Sequence, residues 1–330
     1  MKLPRPHPLV SATLSTALVA IACAVVLIWG SIAPAPRPAA DQTDPHDAAN
    51  VAATHADHAH QNGPTRRIHY PTRSADPRQN YADLSLPADY ARRTDIPVVV
   101  LVHGGSWAST VSARSFDRLA GDLTARGVAV YNVEYRRIGS GGGWPTTFSD
   151  VGAALDELPV VAAEYPRLDL ARSVLVGHSA GAQLVAWAGL RTAEQPGPGL
   201  GAPTWTPRRI VSVSGPLDLA WSATHGDSRV VRALGGTPSE VAARYRAVDP
   251  VHLAARGSAA SGPELIVLHG TSDRVVPDVD SVRFVAEYRA HGGRADLRLL
   301  SGQTHSSMFR AHSKAYQSLV QTIVDAADAP

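Results

Sequence analysis

The sequence is almost without cysteine and lysine. Its 330 residues include one cysteine, Cys23, and only two lysines, Lys2 and Lys314. A single cysteine, placed in an apolar N-terminal run, excludes an intrachain disulfide, a cysteine-based metal site and a thiol nucleophile in the rest of the chain. An exported protein can also lack disulfides, so this scarcity leaves the cellular compartment open.

Net charge is scarce as well. Lysine and arginine together number 31 and aspartate and glutamate 29, so the formal net charge is +2 at pH 7. A chain so close to neutral gives no electrostatic reason to expect nucleic acid as a partner. Hydrophobic residues make up 44% of the sequence and charged residues 18%, which suits one large globular domain with additional segments.

One of these segments is an uncharged apolar run at the N-terminus. Lys2 and Arg5 precede residues 9–33, which are apolar or small. This layout is typical of an export signal or a signal anchor, and the run is about long enough to cross a bilayer. We therefore expect residues 1–33 to be a signal peptide or a membrane anchor, with the globular domain outside the cytoplasm.

The remainder divides into a linker and one domain. Residues 34–65 are rich in Ala, Pro, Asp and His and have little to bury, which predicts a disordered linker. In residues 66–330, apolar runs with the character of strands alternate with segments of helical periodicity. This alternation predicts an α/β fold, with a mostly parallel central sheet covered by helices on both faces.

The predicted elements follow one another as strands and helices with two interruptions. The strands are expected at residues 81–86, 96–102, 128–133, 174–176, 210–213, 265–268 and 295–300, and the helices at residues 115–126, 148–165, 180–190, 279–291 and 311–327. Pro159 is expected to interrupt the second of these helices. Residues 192–207 are rich in Gly and Pro and are expected to be a loop. The long excursion 215–263 is our candidate for a wall or lid of a ligand pocket, because such excursions lie over the carboxyl ends of the strands.

The strongest chemical signal is Gly177-His178-Ser179-Ala180-Gly181, which joins a predicted strand to a predicted helix. This is the G-x-S-x-G nucleophile elbow in its required context. The turn is so tight that bulky neighbours would clash, and the strained serine is raised above the sheet at the start of a helix. Ser179 is therefore the predicted nucleophile.

A glycine-rich loop, His103-Gly104-Gly105-Ser106-Trp107, follows the strand that ends at Val102. Acyl transfer needs backbone N–H groups aimed at the oxyanion of the tetrahedral intermediate, and glycines let the backbone approach the substrate closely. We expect donors from Gly105, Ser106 and Ala180, with Gly104 shaping the turn of this oxyanion hole. His103 is expected to brace the loop by hydrogen bonds rather than to act as a base.

An acid and a histidine follow the last two strands. Asp273 lies just after the strand 265–268, where a carboxylate can receive the Nδ1–H of a catalytic histidine. His305 lies in the loop after the strand 295–300, from which it can reach back to Ser179. Asp278 is the rival acid, but it opens the next helix, and His291 and His312 fit helix-terminal or surface positions better. The order Ser179, Asp273, His305 is the one used by α/β-hydrolases.

With these motifs the chain resembles esterase/lipase-type α/β-hydrolases, over roughly residues 70–325. Within that superfamily it is most similar to the branch with an HGGxW loop, which includes kynurenine formamidase-like and feruloyl-esterase-like proteins. The resemblance extends to Gln79-Asn80-Tyr81-Ala82-Asp83-Leu84, Glu134-Tyr135-Arg136, Trp144-Pro145 with Asp150, and Leu234-Gly235-Gly236-Thr237-Pro238. Two departures are Asp249-Pro250, where the branch often has Ser-Pro, and Ser106, where formamidases usually carry an aromatic residue.

The resemblance implies an α/β-hydrolase catalytic domain at 66–330 with a small lid or cap region. It implies hydrolysis of a small-molecule ester by Ser179, His305 and Asp273, with no metal and no organic cofactor. In this branch Tyr135 and Arg136 are more often structural, and Trp107 packs beside the oxyanion loop or lines the acyl pocket as a substrate-binding residue. Amide hydrolysis by the same triad, as a formamidase or peptidase, and a non-catalytic exported binding module are the alternatives; the oligomeric state cannot be derived from the sequence.

Cell fractionation distinguishes the two forms of the N-terminus. If residues 9–33 belong to a cleaved signal, the mature protein will be soluble and shorter than the full chain. If they attach the protein to a membrane, full-length chain will be recovered in the membrane fraction. A soluble, shortened form excludes the anchor.

Overall fold

The central element of the domain is an eight-stranded sheet. The computed structural model describes residues 65–256 and 259–329. The strands are β1 (Thr65–Ile68), β2 (Tyr81–Ser85), β3 (Ile96–Val102), β4 (Ala129–Glu134), β5 (Leu168–His178), β6 (Arg209–Val213), β7 (Glu264–Gly270) and β8 (Ala295–Leu300). Their order across the sheet is β1-β2-β4-β3-β5-β6-β7-β8.

The sheet is parallel except at one edge. β1 and β2 pair antiparallel, as do β2 and β4, whereas the neighbours from β4 to β8 are parallel. All seven residues of the central strand β3 are buried, because a parallel strand covered on both faces has no side that contacts water. In β8 no residue is fully buried, as expected of the opposite edge.

Helices cover both faces of this sheet. They are α1 (Asp117–Thr124), α2 (Thr146–Asp156), α3 (Leu158–Glu164), α4 (Ala180–Gly189), α5 (Leu219–Thr224), α6 (Ser228–Leu234), α7 (Ala242–Val248), α8 (Pro250–Arg256), α9 (Val279–Ala290) and α10 (Lys314–Asp328). On one face, α1 and α10 pack through Leu119, Leu123, Leu319 and Ile323. On the other, α2, α4 and α9 contribute Phe148, Leu184, Trp187 and Phe284. The prediction of a mostly parallel sheet flanked by helices is confirmed.

Two differences from the predicted elements, and one interruption that was predicted, have local causes. The edge strand β1 begins at Thr65, within the predicted linker, and was not predicted because its residues are exposed except for the half-buried Ile68. The expected interruption of the helical segment 148–165 at Pro159 is present: the segment forms two helices that divide just before this proline, since proline cannot donate the backbone hydrogen bond that a continuous helix needs. The predicted helix 311–327 begins only at Lys314, where the Ser313 side chain accepts from Tyr316 N–H.

The predicted N-terminal segment and most of the predicted linker, residues 1–64, lie outside the described residues. Within the described part of the chain, none of the helices could span a bilayer.

The excursion 215–263 contains four short helices, α5 to α8, and a 3-10 turn at Ala259–Ser261. Gln183 Nε2 donates to Val248 O at 2.9 Å, and Trp187 Nε1 donates to Ala247 O at 3.0 Å, so the excursion is tied to α4. Among the described residues, no hydrogen bond joins it to Ser179 or His305. These contacts place the excursion beside α4, the helix that follows Ser179.

Buried carboxyl groups hold the excursion together and connect it to α9. Asp249 accepts from the N–H groups of Leu219 and Ala220, at 3.1 and 3.0 Å, and so caps α5 from a distant part of the chain. Asp280 Oδ1 accepts from Asp218 N–H at 3.1 Å and from the Ser222 hydroxyl at 2.8 Å. Burial raises the pKa of both Asp249 and Asp280 to about 7, and the nearby Asp218 adds to the effect.

Asp280 makes stability depend on pH. Its carboxyl stays protonated in the folded chain up to about pH 7 but ionises near 3.8 once exposed, so its contribution to stability is lost as the pH rises from 4 to 7. Asp280→Asn, which imitates the protonated form, should raise the free energy of unfolding at pH 8 by about 1–3 kcal/mol and leave it nearly unchanged at pH 4. Urea denaturation at both pH values measures this.

Asp278→Asn is the matched control, because Asp278 is partly exposed and makes no side-chain capping hydrogen bond at the start of α9. Equal changes of stability with pH in the wild type and Asp280→Asn would contradict this account.

Candidate active site

The predicted chemical residues come from the carboxyl ends of neighbouring parallel strands. Ser179 directly follows β5, Asp273 follows β7, and His305 lies in the loop after β8. The loop 103–107 follows β3, which pairs with β5. Because parallel strands end at the same edge of a sheet, four segments far apart in sequence meet there.

Ser179, His305 and Asp273 form a hydrogen-bonded chain. His305 Nε2 lies 2.9 Å from Ser179 Oγ, and His305 Nδ1 lies 2.8 Å from Asp273 Oδ2. An ionised carboxylate can only accept, so Nδ1 carries the proton and Nε2 can accept from the serine hydroxyl. Ser179 is 7% exposed and His305 8%, so both side chains are largely shielded from water.

Ser179 has a strained backbone. Its φ is 54° and its ψ −124°, a region that residues other than glycine rarely adopt. The turn also brings α4 against the end of β3: a Cβ at residue 181 would collide with the carbonyl oxygen of Val102. Glycine at position 181 therefore permits the close approach that raises Ser179 above the sheet.

The acid Asp273 is surrounded by donors. Its Oδ1 accepts from the N–H groups of Val275 and Val276, at 2.8 and 2.9 Å. Burial alone would raise the pKa of this carboxyl, but hydrogen bonds from His269 and His305 hold the pKa well below its usual range. Asp273 is thus ionised at neutral pH, as a residue that orients a histidine must be.

The rival residues lie elsewhere. Asp278 is the residue before α9 and has no described contact with His305. His291 follows the same helix, where its Nδ1 lies 3.0 Å from Glu287 O, and His312 is exposed just before α10. The structure brings Asp273 and His305 to Ser179 and places none of the three rivals there.

The glycine-rich loop curls over the elbow in an uncommon conformation. Gly105, Ser106 and Trp107 have consecutive positive φ values of 104°, 55° and 56°. Residues other than glycine rarely adopt such values, and backbone strain of this kind is concentrated at functional sites. The N–H groups of Gly105, Ser106 and Ala180 have no acceptor among the described residues, which leaves them available to a ligand.

Gly104 is the point of closest contact between this loop and the elbow. A Cβ on Gly104 would lie 2.7 Å from His178 O and 3.0 Å from Ser179 Cβ. Any side chain there would push the loop away from Ser179, so the glycine fixes the distance between the candidate oxyanion donors and the candidate nucleophile.

A buried polar network braces the loop from below. His103 Nδ1 lies 2.8 Å from Gly104 O and its Nε2 lies 3.2 Å from Glu134 Oε1. Tyr135 stacks on the His103 ring, with centroids 4.4 Å apart, and its hydroxyl donates to His103 O at 2.8 Å. His103 therefore acts as a brace, as the sequence indicated.

Glu134 and Arg136 complete the support. Glu134 Oε2 accepts from Ala113 N–H at 3.0 Å, and Arg137 pairs with Oε1 at 2.7 Å. Arg136 makes a two-pronged contact with the buried Asp150, Nε to Oδ2 at 2.8 Å and Nη2 to Oδ1 at 2.6 Å. These contacts agree with the structural role that the resemblance implied for Tyr135 and Arg136.

Trp107 joins the loop to α4 and the excursion. Its indole Nε1 donates to Gln183 Oε1 at 3.2 Å, and Gln183 in turn donates to Val248 O. Only 2% of Trp107 is exposed, so the described contacts favour packing beside the loop over lining an acyl pocket.

Two histidines were not singled out by sequence reasoning. His178, inside the elbow motif, has its Nε2 2.9 Å from His305 O and its ring 4.5 Å from that of Phe309. Burial, with the charge of His305, lowers the pKa of His178 to about 3, so the neutral ring donates to the His305 carbonyl. His269, in β7, contacts Asp273. His178 directly precedes Ser179, and His269 lies four residues before Asp273. This closeness in sequence was the available signal, but it does not indicate which atoms the two rings contact.

No group of three or more histidine, cysteine, aspartate or glutamate residues in the described part of the chain could hold a metal ion.

Comparison with known proteins supports the architecture. The BD-FAE family matches residues 82–288. A probable isoprenylcysteine alpha-carbonyl methylesterase of Oryza sativa subsp. japonica is 31% identical over 246 residues, which cover 70% of this chain and 55% of the relative. An isoprenylcysteine alpha-carbonyl methylesterase of Arabidopsis thaliana is 31% identical over 250 residues, 71% of this chain and 55% of the relative. The chain thus spans about half the length of these relatives.

Among solved structures, a truncated form of a carbohydrate esterase from gut microbiota superposes with a TM-score of 0.66 at 20% identity. The match covers 81% of this chain and 97% of the other. At this identity the likeness shows the fold, which is that of an α/β-hydrolase. The extent of the sequence match further shows that the chain belongs to the BD-FAE family.

Gly104→Ala tests the close packing of the loop on the elbow. The added methyl group should displace the donors from Ser179 and lower the rate at which a fluorophosphonate probe labels Ser179 by about 100-fold. Gly201→Ala is the matched control, since a Cβ there meets nothing within 4 Å. Labelling of folded Gly104→Ala at the wild-type rate would show that the close packing of Gly104 on the elbow does not affect the reactivity of Ser179.

Proposed function

We propose that this chain hydrolyses carboxylic esters through an acyl-enzyme formed on Ser179. The observation that carries the proposal is the chain of hydrogen bonds from Ser179 Oγ through His305 to Asp273, at 2.9 and 2.8 Å. It begins at a strained elbow against which Gly104 packs, and the N–H groups of Gly105, Ser106 and Ala180 have no acceptor among the described residues. Activation of a weak nucleophile by an adjacent, oriented base is the common device of covalent hydrolysis.

In the first half-reaction, His305 Nε2 takes the Ser179 hydroxyl proton as Oγ attacks the ester carbonyl carbon. Asp273 keeps the proton of Nδ1 in place and stabilises the imidazolium that forms. His305 then gives its proton to the alkoxide leaving group, and the alcohol departs. Water repeats the sequence on the acyl-enzyme, which releases the acid and restores Ser179.

The oxyanion hole in this proposal consists of the N–H groups of Gly105, Ser106 and Ala180, with Gly104 setting their position. Developing negative charge is stabilised because these donors are fixed before the reaction and lie in a site with little water. Ala180 is also the first residue of α4, so the positive end of the helix dipole adds to this stabilisation.

The similarity to two proteins named as methylesterases favours an ester over an amide as the substrate of this chain. For this chain we propose only the substrate class, a small carboxylic ester, and not the particular substrate of these relatives. A role of Trp107 in substrate binding stays a prediction. We also propose that the domain works outside the cytoplasm, exported or attached to a membrane through residues 9–33.

Replacing the nucleophile is the direct test. Ser179→Ala should lower hydrolysis of a short-chain p-nitrophenyl ester by about 10⁴-fold or more, because no other group can form the acyl-enzyme. Steady-state kinetics on the purified variant, with its unfolding temperature as a check on folding, measure the effect. Ser149→Ala is a control, since Ser149 lies in α2 and its hydroxyl donates only to Thr146 O.

Two further measurements separate the alternatives. Activity of the wild type across acyl esters, formyl amides and aminoacyl amides identifies the class of bond, and faster cleavage of amides would replace the ester proposal. Unchanged hydrolysis by Ser179→Ala would remove Ser179 from the mechanism. Folded wild-type protein that neither hydrolyses esters nor reacts with a fluorophosphonate would favour the binding module.

A further inference from the structure

A second histidine contacts the acid of the candidate triad. His269 lies in β7, one residue before the strand ends, and is completely buried. Its Nε2 lies 3.4 Å from Asp273 Oδ2, the same oxygen that receives His305 Nδ1 at 2.8 Å. One carboxylate oxygen is therefore shared by two imidazoles.

The other contacts of His269 fix its orientation and its tautomer. Nε2 lies 3.0 Å from Val276 O, and Nδ1 lies 2.7 Å from the Ser281 hydroxyl. Since a carbonyl and a carboxylate can only accept, the Nε2 proton points toward Val276 O and Asp273. With Nδ1 beside the Ser281 hydroxyl, both nitrogens of the buried ring have a hydrogen-bond partner.

These contacts join three segments that together determine the position of Asp273. His269 is held by β7, Val276 belongs to the turn that carries Asp273, and Ser281 lies in the first turn of α9. Val276 N–H donates to Asp273 Oδ1 at 2.9 Å, so the residue that accepts from His269 also donates to the acid. A shift of the ring would move both oxygens of the carboxylate.

We propose that His269 is a positioning residue of the candidate active site, which sets the place of Asp273 and limits how strongly Asp273 attracts His305. This inference rests on the proposed function. His269 acts through the acid and does not touch the reacting atoms. A purely structural role would require only that the ring fill space in the core, whereas this role requires its Nε2–H near Asp273 Oδ2.

The consequence for His305 follows from competition for one oxygen. While the His269 N–H lies near Oδ2, part of the negative charge of Asp273 is compensated, and the charged form of His305 gains less from it. Asp280 and His178 are the other titratable groups near His269; interaction with His269 is a minor cause that lowers the pKa of both, and neither takes part in the His305–Asp273 hydrogen bond. Loss of the His269 donor should therefore make His305 easier to protonate.

The test compares the pH dependence of kcat/KM for the wild type, His269→Phe and His269→Gln on the p-nitrophenyl ester. His269→Phe should lower kcat/KM by about 10- to 100-fold and move the acidic limb of the profile upward by about 0.5–1 pH unit. His269→Gln, which keeps one N–H donor, should restore part of both. The proton resonance of the His305–Asp273 hydrogen bond should move in the same variants.

His69→Phe is the control for the same change of side chain away from the site, because His69 is exposed beside Tyr81 at the antiparallel edge of the sheet. It should leave the profile unchanged. If folded His269→Phe keeps the wild-type acidic limb and resonance, the proposal is wrong, even where the rate falls. If His269→Phe does not fold, Ser281→Ala and His269→Gln provide the test. An unchanged acidic limb of the kcat/KM profile in both variants would overturn the positioning role of His269. Retention of hydrolysis by Ser179→Ala would instead reject the proposed function.

Discussion

The geometry of the site depends on the close packing of the loop after β3 on the turn after β5. Gly104 lies against His178 and Ser179, while Gly181 lies against Val102. Each of these approaches is possible only without a side chain, and together they hold Ser179 at its strained φ of 54°. Strain of this kind persists only where surrounding structure enforces it. The candidate nucleophile and the candidate oxyanion loop are therefore held as one rigid unit.

Hydrogen bonds of buried polar side chains connect this unit to the surrounding strands and helices. Glu134, at the end of β4, supports the loop through His103, and the Trp107–Gln183 contact ties the loop to α4. On the other side, His178 holds the main chain of His305 at 2.9 Å, and His269 lies beside Asp273. A buried polar group that loses its partner costs free energy. Moving any of these side chains would break such a contact, so together the contacts keep the residues around Ser179 in place.

The excursion after β6 shows how one departure from the family pattern is accommodated. Where the resembled branch often has serine, Asp249 caps α5 with both carboxylate oxygens. This aspartate adds a third buried carboxyl group beside Asp218 and Asp280. Burial and the neighbouring carboxyl groups disfavour the ionised form, which raises the pKa of Asp249 and Asp280 to about 7. The wall beside the site is thereby fixed by groups whose ionisation changes near neutral pH.

The sequence alone determined the parallel strands, the elbow, the glycine-rich loop and the order of Ser179, Asp273 and His305. These features are local: continuous apolar runs mark buried strands, and tight turns need glycine at fixed positions. Only the tertiary structure decided that Asp273 rather than Asp278 meets His305, that Trp107 is buried, and that His178 contacts His305 while His269 contacts Asp273. Those outcomes depend on contacts between strand ends far apart in the chain, which no local pattern encodes.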